Sequence, residues 1–227
     1  MKKDLFTKVA YPLKGEYRKE NVVFDLYGIR TFNTLPLEIA QYVQAGAGYL
    51  NESIYNYNNE IVMAVISHVH ALKYYSILGS SNDKDIDFFF RKYIEQTIKH
   101  IFSAYDKSFH ILNRYYLLNF PNSPGLNGCI INYLKTNESS VGSKLQAIKD
   151  SIDSFNNNSL KIIRNDIEHN FSCLFTTYRI DTTNGQDTLV EDSHKISIQE
   201  CEQLIVDLVG IIKEQKDLID QLLEQLI

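Results

Sequence analysis

The chain has 227 residues, with 23 Lys and Arg against 28 Asp and Glu for a net charge of −5, which excludes a protein that coats nucleic acid with a generally positive surface. Ten Gly and four Pro are about half of average usage, too few for a turn-dense β-sandwich or a disordered linker. With 44 % apolar residues, 15 Tyr and 12 Phe, the sequence has the means to bury a sizeable core. Three cysteines, Cys129, Cys173 and Cys201, are an odd number without CxxC spacing, so they define neither a disulfide framework nor a zinc knuckle and point to a reducing compartment. Lys2 and Lys3 are followed by charges from Asp4 onward in place of an apolar signal core. No stretch approaches the ~18 apolar residues of a membrane span, and the expected location is the cytoplasm.

Residues 1–33 mix charge, Pro12, Gly15 and a short apolar run from Val22 to Ile29; they read as an arm packed on a main body of residues 34–227. Thr34 and Pro36 signal a helix start. Gly46 and Gly48 are expected to kink or break that helix, and Asn56 to Asn59 form a second weak point. Ile61 to Ile77 then carry a strongly apolar helix ending near Gly79. After a turn at Ser80 to Asp85, apolar residues from Ile86 to Tyr116 recur every three or four positions. They predict the longest helix, closed by Pro121 and the Pro124-Gly125 turn. Shorter helices are expected at Asn127 to Leu134, Ser143 to Phe155 and from Leu160.

The helical pattern breaks between Phe175 and Glu191, where β-branched and aromatic residues flank Asn184-Gly185, the signal of a tight hairpin. Ser197 and Glu200 form a capping box before a last helix with two adjacent apolar rows, Leu204, Leu208, Ile211, Leu218, Leu222 and Ile205, Val209, Ile212, Ile219, Leu223. The predicted fold is all-α: a single antiparallel helical bundle with a small β-hairpin insert near 175–191.

Chemistry-bearing patterns are few. His68 and His70 point about 200° apart on a helix and do not chelate one metal, so a structural role is the better reading. His100 and His110 are nearly three turns apart. Asp83, Asp85 and Asp87 imitate an EF-hand loop that fails at Phe88 and Ile94; they read as charges at a helix N-terminus. Gly46-Ala47-Gly48 lacks the third glycine of a dinucleotide loop. No metal and no cofactor is predicted.

What remains is Arg164-Asn165-Asp166-Ile167-Glu168-His169 in the first turns of a helix after an Asn-rich loop. Asn165 and His169 share a face, so the amide can orient the imidazole. Arg164 lies about 140° from His169 around the axis. The two would meet on one substrate through a bend, through the reach of the Arg side chain, or through a second copy of the helix alongside. The alternative is plain: Arg164 pairs with Glu168, and His169 caps or packs.

Arg164, the polar Asn165 and His169 resemble the defining motif of the HEPN superfamily of small all-α domains: Arg, a polar residue, three to five further residues, then His. Tyr105-Asp106-Lys107 and Leu112-Asn113-Arg114-Tyr115-Tyr116 are similar to the long-helix signature of some bacterial members, and the resemblance runs from about residue 60 to 227. The hairpin departs from the minimal domain. The resemblance implies a homodimer with motifs facing across a shared cleft, and metal-independent cleavage of RNA by 2′-hydroxyl attack. In that role His169 is general acid or base, Arg164 stabilises charge on the phosphate, and Asn165 holds the imidazole or donates to the phosphate. Lys161, Asn170, Tyr178 and Arg179 are candidate RNA contacts, residue types more often found as plain solvated surface. A toxin or phage-defence role, restrained by an antitoxin or neighbouring gene product, fits the same reading. Two further readings stay open: a non-catalytic HEPN module binding RNA, nucleotide or a protein partner, and a helical scaffold without a nucleic-acid role.

The charge is uneven. Residues 181–227 carry −8 and the preceding 180 carry +3, with +3 on Arg91 to Tyr116 alone. A local RNA cleft is therefore compatible with the acidic total, because exposed charges more than about 10 Å apart are largely screened.

Overall fold

The computed structural model describes residues 46–78, 84–153, 174, 178–183, 186–191 and 197–226. Four helices come first: α1 Gly46–Leu78, α2 Lys84–Tyr115, α3 Leu126–Asn137 and α4 Ser139–Asp153. A hairpin of β1 Tyr178–Thr183 and β2 Gln186–Glu191 follows, then α5 Ile198–Leu223 and a 3-10 turn, Glu224–Leu226. The architecture is the all-α bundle with a small antiparallel hairpin that the periodicity predicts.

α1 and α2, each roughly 50 Å long at 1.5 Å per residue, run antiparallel. Near the loop end, the His70 and Tyr93 rings stack at 4.9 Å and those of Tyr74 and Phe89 at 5.4 Å. Midway, Glu60 meets His100 and Lys107. α2 is the central helix: α1, α3 and α5 all pack on it, which is why residues as differently directed as Phe90, Ile94, Ile98, Phe102, Phe109 and Ile111 are all buried.

The first two helices depart from their expected breaks and ends. Asn56 to Asn59 lie inside the continuous α1, as does Gly48. Leu50, Ile54, Tyr57, Ile61 and Ala64 make an unbroken buried row across the Asn-rich stretch, and tertiary burial outweighs the weak helix propensity of Asn. Over the described residues α1 spans 33 and α2 spans 32, so the two are near equals. Pro121 does not close α2. α2 ends in a Schellman motif in which Leu118 N–H donates to Asn113 O at 3.0 Å and Leu117 N–H to Arg114 O at 3.2 Å. Leu117 holds the left-handed position at φ 52°.

α3 and α4 form a tight hairpin at Glu138. Gly142 is there because a Cβ would fall on backbone atoms of Leu134 and Lys135. Ser197 caps α5 as predicted, accepting from Glu200 N–H while the Glu200 carboxylate accepts from Ser197 N–H; these bonds hold the Glu200 carboxyl below its ordinary range. Both apolar rows of α5 are buried in the bundle, apart from the half-buried Ile211, so its broad apolar face belongs to this chain's own core. No described helix is long and apolar enough to cross a membrane.

Candidate functional site

Arg164, Asn165 and His169, with Lys161 and Asn170, lie outside the described residues, as do the arm of residues 1–33 and the helix starts at Thr34 and Leu160. Tyr178 and Arg179 occupy the first two positions of β1, opposite Glu191 and Val190. The described residues supply the frame on both sides of the motif in sequence. α4 ends at Asp153, eleven residues before Arg164. The chain is next described at Leu174, five residues after His169.

Leu174 is fully buried, and its anchor is Arg91. The Arg91 side chain, 5 % exposed, donates from Nη1 to Leu174 O at 3.0 Å and from Nε to the Asp87 carboxylate at 3.0 and 3.2 Å. A buried guanidinium needs such partners, and a planar fork serves a carboxylate and a carbonyl together. Asp85 and Asp87 stand in the first turn of α2, where helix-dipole attraction favours them. Asp87 has the added task of orienting Arg91.

Most of the basic side chains on α2 stand in ion pairs. Lys92 and Lys99 both reach Glu95, at 3.2 and 2.8 Å. Arg91 is matched by Asp87 and Lys107 by Glu60, two acids outside the Arg91 to Tyr116 window. Much of the positive charge on this helix is therefore matched locally. Around Glu60, His100 Nδ1 lies 2.7 Å from one carboxylate oxygen while the Lys107 ammonium holds the other. Burial pushes the Glu60 carboxyl up, but the Lys107 and His100 hydrogen bonds and charges together outweigh it and hold the group below its ordinary value.

A cleft of about 580 Å³ opens where the end of α4 meets α2 and the start of α3, lined among others by Tyr105, Asp106, His110, Asn127, Lys149 and Asp153. Asp106 accepts from Asn127 Nδ2 at 2.9 Å, and Lys149 pairs with Asp153. Burial pushes the His110 imidazole down; Asp106 pulls it up, Arg114 and Lys107 push it down, and the net direction is downward. The imidazole is therefore neutral at pH 7, a hydrogen-bond donor and acceptor at once. The cleft offers directed hydrogen bonds rather than a strong net charge.

The long-helix signature has a structural meaning. Asn113, 3 % exposed, clamps the chain beyond α2: its Nδ2 donates to Phe120 O at 2.9 Å and its Oδ1 accepts from Phe120 N–H at 3.1 Å. Tyr105 packs edge-on against Phe109, Asp106 holds the start of α3, and Lys107 holds α1. Tyr116 is pushed up to about 12 by burial, with Glu138 and Tyr115 adding to it. Tyr105 and Asp106 line the cleft, and Asn113 fixes the joint between α2 and α3. These residues are legible in sequence as a signature, but the cleft is not, because its walls meet only when three successive helices pack. His68 is buried, in keeping with a structural role, while His70 stacks on Tyr93. Among the described residues no three His, Cys, Asp or Glu side chains converge as metal ligands.

An all-α bundle with a central long helix and this signature is the HEPN class. Comparison with protein-family models matches residues 42–226 to the Cthe2314-like HEPN family. The chain belongs to that family, and the match takes in the whole of α1, beginning earlier than the sequence resemblance near residue 60. No curated protein and no solved structure matches the chain.

Proposed function

We propose that this protein is a metal-independent endoribonuclease acting in the cytoplasm as a homodimer across the Arg164/His169 motif. The observation that carries the reading is the family match over residues 42–226, a span that contains Arg164, Asn165 and His169 in the superfamily's spacing.

In the proposed reaction the ribose 2′-oxygen loses its proton to a general base and bonds to the adjacent phosphorus. The bond from phosphorus to the 5′-oxygen breaks as a general acid protonates the leaving oxygen. The products are a 2′,3′-cyclic phosphate and a 5′-hydroxyl. His169 serves as general acid or base, and Arg164 donates to the phosphoryl oxygens where negative charge accumulates. Asn165 orients the imidazole or donates to the phosphate. The requirement for a 2′-hydroxyl selects RNA over DNA. Lys161, Asn170, Tyr178 and Arg179 are proposed to contact the RNA strand.

Incubation with total RNA in EDTA tests this. The wild-type chain is expected to leave 2′,3′-cyclic phosphate ends, and His169→Ala and Arg164→Ala each to lose about 100-fold or more in rate. Cleavage that survives both substitutions contradicts the mechanism, and RNA binding without cleavage by the wild type identifies a non-catalytic module instead. A toxin or phage-defence role predicts growth arrest on expression, relieved by His169→Ala or by an antitoxin or neighbouring gene product.

A further inference from the structure

The hairpin forms a sheet of two strands, and among the described residues neither outer edge meets a third. Ile180 on β1 is 68 % exposed. Two residues separate Thr183 from its partner Gln186, and in so short a connection the closing pair exchanges both backbone hydrogen bonds. Alternation along the ladder then makes Asp181↔Thr188 and Arg179↔Val190 bonded pairs, with Thr182↔Asp187, Ile180↔Leu189 and Tyr178↔Glu191 the closer, non-bonded ones. The Thr182 hydroxyl donating to the Asp187 carboxylate at 2.6 Å agrees with that closeness. The backbone N–H and C=O groups of Tyr178, Ile180 and Thr182 are thus directed away from β2, along an edge that no third strand covers among the described residues.

An antiparallel strand added at this edge has to set outward residues against outward residues. For β1 meeting itself, well-overlapped registers centre on Arg179, Ile180 or Asp181. The first opposes Arg179 to Arg179 and the third Asp181 to Asp181, both repulsive. The register centred on Ile180 places Ile180 on Ile180, Tyr178 opposite Thr182, and Arg179 opposite Asp181 on both sides of the axis. The β2 edge lacks this complementarity, since Gln186–Glu191 holds Asp187 and Glu191 and no base. Pairing β1 to β2 of another copy would be head-to-tail, which does not close by a two-fold.

We propose that β1 pairs antiparallel with β1 of a second copy of this chain about a two-fold axis through Ile180, joining two hairpins into one four-stranded sheet. The pairing rests on the two-copy assembly proposed above and specifies one of its contacts. Tyr178 lies nine positions after His169, at most about 32 Å of extended chain, so joined hairpins tether both motif-bearing segments near one axis.

Cysteine cross-linking of the full chain in a Cys129→Ser background, with sedimentation beside it, tests the register. Ile180→Cys is expected to give a disulfide dimer under mild oxidation, because paired positions lie about 5.5 Å apart between Cα atoms. Thr182→Cys is expected to give none, its two copies standing about 14 Å apart. Arg179→Asp or Asp181→Arg alone weakens the dimer about tenfold, and the two together restore it. A dimer that Ile180→Cys fails to cross-link, or that both charge reversals leave unchanged, overturns the edge pairing and leaves the assembly standing. Equal cross-linking at Thr182→Cys overturns the register. A monomeric wild-type chain overturns pairing and assembly together.

Discussion

His68 is fully enclosed in α1, and burial pushes its imidazole down from an ordinary 6.5 to about 4. Above pH 6.5 the side chain is neutral whether the protein is folded or not. As pH falls from there towards 4, the unfolded chain gains a proton that the folded chain refuses, and stability drops by something on the order of 3 kcal/mol. Denaturant titrations at pH 7.5 and 5.0 are expected to show about 2 kcal/mol of that loss, and His68→Asn to flatten it. A slope that is the same in the variant would assign the pH dependence elsewhere. Glu60 acts lower on the pH scale, its carboxylate supporting the α1–α2 contact until acid protonates it below the ordinary carboxylate range. A structural role for His68 is legible in sequence, but its pH dependence and the Glu60 contact are not. Two histidines spaced by two exclude a shared metal, but burial and a partner 40 residues away depend on how α1 lies against α2.

At the scale of elements, periodicity and capping were legible, while joints were not. The Ser197/Glu200 box is local chemistry, and it starts α5 where the sequence says. The end of α2 is different, because Leu117 takes a left-handed position that glycine normally fills. Nothing in the residue type announces it; the Asn113 clamp on Phe120 holds it there. Leu117 is 60 % exposed, so Leu117→Gly removes strain without removing core, and a gain of about 1 kcal/mol in unfolding free energy is expected. A loss of stability would show that the clamp, not the backbone preference, sets this turn. Gly142 carries the opposite case. A side chain there collides with the α3 backbone, so Gly142→Ala is expected to cost about 1–3 kcal/mol, read as a lower thermal midpoint. An unchanged midpoint would mean that α3 and α4 separate freely.

For the whole molecule, the uneven charge that suggested a basic cleft along α2 resolves into Arg91–Asp87, Lys92 and Lys99 with Glu95, and Lys107–Glu60. The width of the apolar face on α5 is taken up by the core. The functional account therefore rests on the family and its motif, on Arg91 holding Leu174 just beyond that motif, and on the β1 edge as the contact between copies. Its central claim is the proposed homodimer across the motif, and in the arrangement put forward for it Arg164 of one chain serves His169 of the other. Arg164→Ala and His169→Ala chains, each inactive alone, form mixed dimers with one intact site when produced together. Cleavage of RNA in EDTA is predicted to return to about a quarter of the wild-type rate, because half the dimers are mixed and each has one of two sites intact. A mixture as inactive as its components would contradict the shared site.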